Sequence, residues 1–353
     1  MSIPYRTRRV LNRLGITLTA LLLTAIVAWL CWVVWLQRYV VYTNSGATLD
    51  FQISANDITG ELAVPPEAAK NISIYYNEGA DAIDVGTEMK QLNGYYIDSD
   101  MLQKDMAGVL IRIEELSSGT PILIDMKGPY GSFFYPSKLS DAVHSASTDV
   151  NAVAELVSTL QKKGFYTIAR ISAFRDREYG NNHVTSGLYM LSRAGLWMDS
   201  GGMFWLDPTN ASTTSWISDV ILELRDMGFN EVVLSNFCFP ESDKYIFNGD
   251  KAAALQTAAS TLVSSCASST FTLSFAVSDP AFTLPGERCR LYLEGVNANG
   301  IGAAASKVTV EDPATQLVFI AETGDTRYND YSVLRSLYIS DVVEAQKAAA
   351  AEE

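Results

Sequence analysis

Histidine is nearly absent from this 353-residue chain: there are two, His144 and His183, far apart in sequence. That leaves little room for a histidine-based metal site or a histidine general base. Cysteine is scarce too, with four in all, and one of them, Cys31, falls in the N-terminal apolar stretch. Cys238, Cys266 and Cys289 remain, an odd number without a CxxC pair, which excludes complete intrachain pairing and a zinc-finger spacing. No glycine-rich dinucleotide loop and no P-loop occurs, so no nucleotide cofactor is expected, and no metal. Basic residues are outnumbered, 26 against 40 acidic, for a formal net charge of −14. An acidic body repels phosphate backbones, so nucleic acid is not an expected partner.

Charge is also missing locally. Between Arg13 and Arg38 run 24 residues without a charged side chain, LGITLTALLLTAIVAWLCWVVWLQ. That is long enough to cross a hydrocarbon core of roughly 30 Å as a helix. The first 38 residues contain five arginines and no acid, which leaves 21 basic and 40 acidic residues for the rest. Four arginines precede the run and one follows it, so the positive-inside bias predicts a cytoplasmic N-terminus and an extracytoplasmic body. Trp29, Trp32 and Trp35 cluster toward the outer end, as an interfacial belt would. A cleaved signal peptide is the competing reading, but the run is too long and no small-x-small site follows. The expected layout is a basic cytoplasmic segment (1–13), a single-pass transmembrane helix (14–37), an extracytoplasmic tether with short strands (38–91), a folded domain (92–346) and a fraying tail (347–353).

In the folded domain, eight short apolar runs stand out: 94–98, 121–128, 166–174, 203–208, 231–239, 271–277, 290–295 and 317–323. Helical patterns are expected over 101–116, 150–163, 212–228, 250–265 and 328–346. In AVAELVSTLQKKG, Val153, Leu156, Val157 and Leu160 recur at helical spacing and Gly164 follows as a stop. Alternating strand and helix predicts an α/β fold with a parallel sheet. Eight strands in this length match a (β/α)8 TIM barrel, irregular in its last strands because 278–289 and 296–316 lack clear helical patterns. A doubly wound open sheet is the alternative, though it usually shows an early glycine-rich loop, absent here.

A barrel of this kind carries its site at the carboxyl ends of the strands. The runs end in Asp98, in Asp125 and Lys127, in Arg170 with Asp176, in Asp207, in Ser235 and Asn236, in Glu294 and in Glu322. Asp125, Asp176 and Asp207 are candidate catalytic carboxylates, because glycoside hydrolysis uses paired carboxyls. Arg170, Lys127, Ser235, Asn236, Glu294 and Glu322 are candidate substrate contacts, with Tyr130 and Trp205 as rings for stacking on sugar faces. Each acid has a plainer reading as a helix cap, and each ring as core.

The stretches GYYIDSDML, PILIDMKGPYGSFFYPS, YTIARISAFRD, MFWLDP and GFNEVVLSNFCFP together resemble a bacterial, usually surface-attached family of TIM-barrel domains grouped with the glycoside hydrolases. Asp125 and Lys127 match its aspartate-x-lysine, Arg170 and Asp176 its arginine–aspartate stretch, and Trp205, Asp207 and Pro208 its W-x-D-P. The resemblance implies a barrel that acts on polysaccharide. It departs at 228–240, where the family reads G-F-D-E-[IV]-x-x-D-Y-[IV]-R-F-P. Here Asn230 and Ser235 replace the two aspartates, Asn236 the tyrosine and Cys238 the arginine. Two functions remain open from the sequence: a membrane-anchored glycoside hydrolase, and a catalytically inactive barrel that binds glycan or an envelope partner.

Overall fold

A computed structural model describes residues 21–26, 28–29, 32, 40–43, 46–49, 89–277, 279 and 282–339. Residues 21–26, 28–29 and 32 are helical, with Leu21, Leu22, Leu23, Ile26, Trp29 and Trp32 exposed. No helix among the described residues is long and apolar enough to cross a membrane; the rest of the expected span 14–37 lies outside them. Val40–Thr43 is a strand that pairs antiparallel with Gly46–Leu49. The rest of the expected tether up to residue 88, and the tail 347–353, lie outside the described residues.

The folded domain is a closed barrel of eight parallel strands. They are β1 (Asn93–Ile97), β2 (Pro121–Lys127), β3 (Tyr166–Ser172), β4 (Glu231–Ser235), β5 (Thr272–Phe275), β6 (Leu291–Leu293), β7 (Leu317–Ala321) and β8 (Ser332–Ser336). Each pairs with its neighbours in chain order, and β1 pairs with both β2 and β8, which closes the ring. Around it run α1 (Ser99–Lys104), α2 (Met106–Glu115), α3 (Val150–Lys162), α4 (Arg177–Asn182), α5 (Ala211–Asp226), α6 (Lys251–Cys266), α7 (Ile301–Ala305) and α8 (Pro313–Gln316). α3 shows why these segments are helices. Val153, Leu156, Val157 and Leu160 form one buried stripe, and the Asp149 carboxylate accepts from the free N–H groups of Asn151 and Ala152. Beyond β5 the helical layer thins: none is described between β5 and β6, and only a 3-10 turn, Thr326–Asp330, precedes β8.

Strand side chains alternate between two cores, which fixes which residues face the mouth. Leu123, Ile168, Val233, Tyr292, Val318 and Leu334 fill the barrel interior. Their strand neighbours, such as Ile122, Ile124, Ala169, Ile171, Val232 and Leu234, pack in the outer core, together with the buried faces of the helices. The amino-terminal end of the interior is closed by a buried ion pair. Glu231 accepts from Arg290, from the Tyr166 hydroxyl at 3.0 Å and from the Tyr292 hydroxyl at 2.8 Å. Arg290 also donates to the carbonyls of Thr315 and Lys90, both at 3.0 Å. A charge this deep is tolerable only when its hydrogen-bonding capacity is met.

Two elements differ from the sequence reading. Met203–Pro208 is not a barrel strand. It belongs to a long excursion between β3 and α5, tied by isolated bridges Arg175↔Trp205, Gly187↔Leu206 and Met198↔Phe204. Met203, Trp205 and Leu206 are apolar because the excursion has its own packed interior. The eighth strand is instead Ser332–Ser336, inside the stretch expected as a helix over 328–346. Val333 faces the outer core and Leu334 the inner one, and a strand buried on both faces loses the alternation that would identify it. The pattern expected over 101–116 is two helices, broken at Asp105, whose side chain caps the second.

Candidate active site

At the carboxyl end of the barrel, the inward positions of three strands meet in one cluster. Arg170 on β3 reaches across to β2, where its Nε donates to Asp125 Oδ1 at 2.6 Å and its Nη2 to Oδ2 at 3.1 Å. Its Nη1 donates to Glu294 Oε1, just beyond β6, at 2.9 Å. One guanidinium therefore joins two carboxylates in a forked geometry that lysine could not reproduce. The backbone N–H of Ser99 completes the shell of Asp125 at 3.0 Å. Exposure grades outward: Asp125 is 15% exposed, Arg170 19% and Glu294 44%. Burial alone would lower the Arg170 pKa, but Asp125 and then Glu294 outweigh it and raise it. The group is a fixed cation at any working pH.

Beside this cluster, β7 leads into Glu322, exposed and two residues beyond inward-facing Ile320. The loops after β6 and β7, with Tyr338 and Ile339 beyond β8, line a cleft of about 790 Å³ that includes Glu322, Asn297, Asn299 and Thr323. Arg327 forks onto Asp325 in its wall, Nε to Oδ1 at 2.9 Å and Nη2 to Oδ2 at 2.6 Å. Tyr96 on β1 registers the local field. Its pKa is raised by burial first; Asp98 and Glu322 add to the rise, while Ser336 and Arg170 oppose it.

Of the residues expected at the mouth, Asp125, Arg170, Ser235, Glu294 and Glu322 occupy inward positions at strand ends. Ser235 and Asn236 close the tip of β4: the Ser235 hydroxyl donates to the Ile171 carbonyl at 3.0 Å, and Asn236, at φ +50°, donates to Ser172 Oγ at 3.1 Å. Asp176 and Lys127 are elsewhere. They form a 2.7 Å ion pair in the outer core, with side chains 1% and 2% exposed. Asp176 also accepts from the Tyr179 N–H at 2.9 Å and the Trp216 indole at 3.3 Å. Gly131, at φ +84°, leaves room for it; a Cβ there would stand 2.3 Å from its Oδ1. This aspartate caps a helix and neutralises a buried lysine. Asp207 folds back on Thr209, accepting from its N–H at 2.8 Å and its hydroxyl at 2.7 Å, in the turn before α5. Trp205 is buried, its indole donating to Asp199 at 3.0 Å. Tyr130 is an exposed ring in the loop after β2.

Neither histidine joins the cluster: His183 stands 3.1 Å from Asp141 and stacks on Tyr179, and His144 bonds the Ser137 carbonyl. The Cys238 thiol is pushed up to about 11, by burial first and Glu241 next, which makes it a poor nucleophile. Among the described residues, no group of three His, Cys, Asp or Glu is arranged to hold a metal. Asn297, Asn299, Asp325, Arg327 and Tyr338 were not legible as cleft residues, because they come from the separate loops after β6, β7 and β8, which only the closed barrel brings together.

Residues 95–274 match the family model described as "Putative glycosyl hydrolase domain". A hypothetical protein from Ruminiclostridium thermocellum is similar in structure over 52% of this chain and 97% of its own, at 17% identity and a TM-score of 0.46. An alpha-galactosidase from Lactobacillus brevis aligns over 75% of this chain and 40% of its own, at 8% identity and TM-score 0.49. The GH36 alpha-galactosidase AgaA from Geobacillus stearothermophilus aligns over 74% and 42%, at 10% identity and TM-score 0.48. This chain thus spans well under half the length of either galactosidase. A search of curated proteins by sequence returns no match.

Proposed function

As the chain belongs to the family described as a putative glycosyl hydrolase domain, we propose that it is a membrane-anchored, extracytoplasmic barrel that binds polysaccharide in its carboxylate-lined mouth and hydrolyses it there. The observation that carries this reading is the Asp125–Arg170–Glu294 cluster. Cleaving a glycosidic bond requires a proton for the leaving oxygen and a carboxylate that attacks or activates water. Asp125, fixed by three N–H donors, is held in place as that carboxylate. Glu294, held by Arg170 through one oxygen and partly exposed at the mouth, supplies the second carboxyl of the pair. Arg170 fixes the spacing between them. Anchoring is supported by the uncharged run 14–37, its arginine flanks and the exposed apolar side chains of its described helical residues.

The tip of β4 favours a second reading, binding without cleavage. It presents Ser235 and Asn236, both turned onto neighbouring backbone or side chain, where the related family carries an acid. One experiment separates the two: reducing-sugar release by the full chain in detergent, over a panel of envelope and plant polysaccharides. Release that falls about 100-fold or more in Glu294→Gln supports hydrolysis through this cluster. Release that Glu294→Gln leaves unchanged overturns the assignment. Retained glycan binding with no release establishes the second reading.

A further inference from the structure

We infer that the glycan taken by this mouth carries acetamido groups, as an N-acetylhexosamine polymer does, and that Asn297 and Asn299 read the acetamido carbonyl in the cleft beside the Asp125–Arg170–Glu294 cluster. The inference rests on the polysaccharide reading above and adds the chemistry of the sugar.

A side-chain amide has an accepting oxygen and a donating nitrogen. In both asparagines the oxygen is already engaged from within the protein. Asn297 Oδ1 accepts from the Gly300 N–H at 3.0 Å, and Asn299 Oδ1 accepts from Arg327 Nη1 at 2.6 Å. A backbone N–H and a guanidinium can only donate, so each amide is fixed in its orientation by its partner. Each Nδ2 keeps its N–H groups without an acceptor among the described residues, and both residues line the cleft. The loop that bears them is held at several points. The Tyr328 hydroxyl donates to the Val296 carbonyl at 2.7 Å, and the Gly300 N–H also meets the Asn297 carbonyl at 2.8 Å. Arg327, which holds Asn299, is fixed in turn by its fork onto Asp325. The donors are therefore in place before a ligand arrives, which lowers the entropic cost of binding.

The same cleft has an apolar part, formed by Val296, Ala298, Ile320 and Ile339, and it continues from the cluster, since Gly295 follows Glu294 and lines it. Its volume of about 790 Å³ is that of a site for a small ligand. Paired amide donors beside apolar side chains fit a substituent that offers a carbonyl oxygen and a short apolar end. An acetamido group has both, a carbonyl and a methyl. A plain hydroxyl can accept, but it brings no methyl to the apolar wall. An ammonium group has donors alone and gives the amides nothing to bond. A carboxylate or a sulfate can accept, but Arg327 is already neutralised by Asp325, and Glu322 in the same wall opposes a second negative charge.

The test is calorimetric titration of the full chain in non-ionic detergent with three probes: chitohexaose, cellohexaose, which has the same linkage with a hydroxyl in place of each acetamido group, and an oligogalacturonate of equal length. Chitohexaose is expected to bind about tenfold more tightly than cellohexaose, the worth of two net hydrogen bonds. That ratio should fall toward one in the double variant Asn297→Asp with Asn299→Asp. The variant keeps the oxygens that accept from Gly300 and Arg327 and removes only the amide donors, so its Tm should stay near wild type. Equal or tighter binding of cellohexaose or of the oligogalacturonate by the wild type overturns the acetamido inference and leaves the polysaccharide reading standing. A preference for chitohexaose that survives the double substitution overturns the assignment to Asn297 and Asn299. Failure of all three probes to bind the wild type overturns both the inference and the reading beneath it.

Discussion

Replacing Asp176 by asparagine separates a structural aspartate from a chemical one. The substitution keeps the shape of the side chain and an oxygen to accept from Tyr179, so the cap of α4 survives in part. It removes the negative charge 2.7 Å from Lys127, whose side chain is 2% exposed and whose other partner is the Ser172 carbonyl at 3.0 Å. Leaving a buried charge without its counterion costs about 3–5 kcal/mol. For a domain of this size, each kcal/mol lowers Tm by roughly 2–4 °C, so a fall of about 10 °C is expected in thermal unfolding followed by circular dichroism. Below that transition, glycan affinity and any turnover should stay near wild type, because no mouth residue touches Asp176. A double change, Lys127→Met with Asp176→Asn, should recover part of the loss, since the uncompensated charge is then gone. Wild-type Tm together with abolished turnover would refute the placement of Asp176 in the core.

Other consequences follow from the same geometry. Glu231→Gln at the closed end of the barrel leaves Arg290 buried without a counterion and should cost a comparable 3–5 kcal/mol, or about 10 °C, read by denaturant and thermal melts. Arg170→Met removes three donors from Asp125 and Glu294; as these groups are partly exposed, the loss of stability should be smaller, about 1–3 kcal/mol. Its larger effect should be on turnover, and Arg170→Lys should not restore it, which steady-state kinetics would show. Ser235→Asp returns a carboxylate to the tip of β4; if the missing acid limits catalysis, sugar release should rise at least about tenfold, and no rise would show that Glu294 already serves. Asp199 gives a pH signature: burial raises its pKa, but the Arg175, Met203 and Trp205 hydrogen bonds outweigh burial and set it below the ordinary value. Its stabilising contribution is therefore full above the unfolded-state value of about 3.9 and lost as pH falls through the lower folded value. Limited proteolysis within 190–205 should accelerate over that acid range and not between pH 5 and 7.

How far the sequence could be read depended on whether one segment carried one message. α3 was legible because its stripe, its cap at Asp149 and its stop at Gly164 agree. Seven of the eight barrel strands fall inside expected runs to within one residue, since short apolar segments between helical patterns leave few alternatives. Met203–Pro208 misled because burial in an excursion produces the same apolar run as burial in a barrel, and composition does not say which interior a segment fills. Ser332–Ser336 was hidden for the opposite reason: its apolar pair Val333 and Leu334 fits a helix as well as a doubly buried strand. These two exchanges carried through to the site. Asp125 and Arg170 lie near the ends of strands that the sequence predicts, and Glu294 and Glu322 just beyond two others, so their places at the mouth were legible. Asp207 was assigned to the end of a strand that is a turn. Arg170 and Asp176 share one motif, but Arg170 faces inward on β3, whereas Asp176 lies beyond the strand's end, where it caps α4. The partners of Arg170 could not be read from sequence at all, since they come from β2 and β6, 45 and 124 residues away.

The central claim is that sugar binds at the mouth of the barrel and not in the excursion, where Asp207, Arg193 and Tyr189 line a smaller pocket of about 330 Å³. The most direct measurement is calorimetric titration of one oligosaccharide into the full chain, as wild type, as Glu294→Gln with Arg170→Met, and as Asp207→Asn. The account predicts that affinity is lost in the mouth variant and kept in Asp207→Asn. Affinity kept in the mouth variant and lost in Asp207→Asn would contradict it.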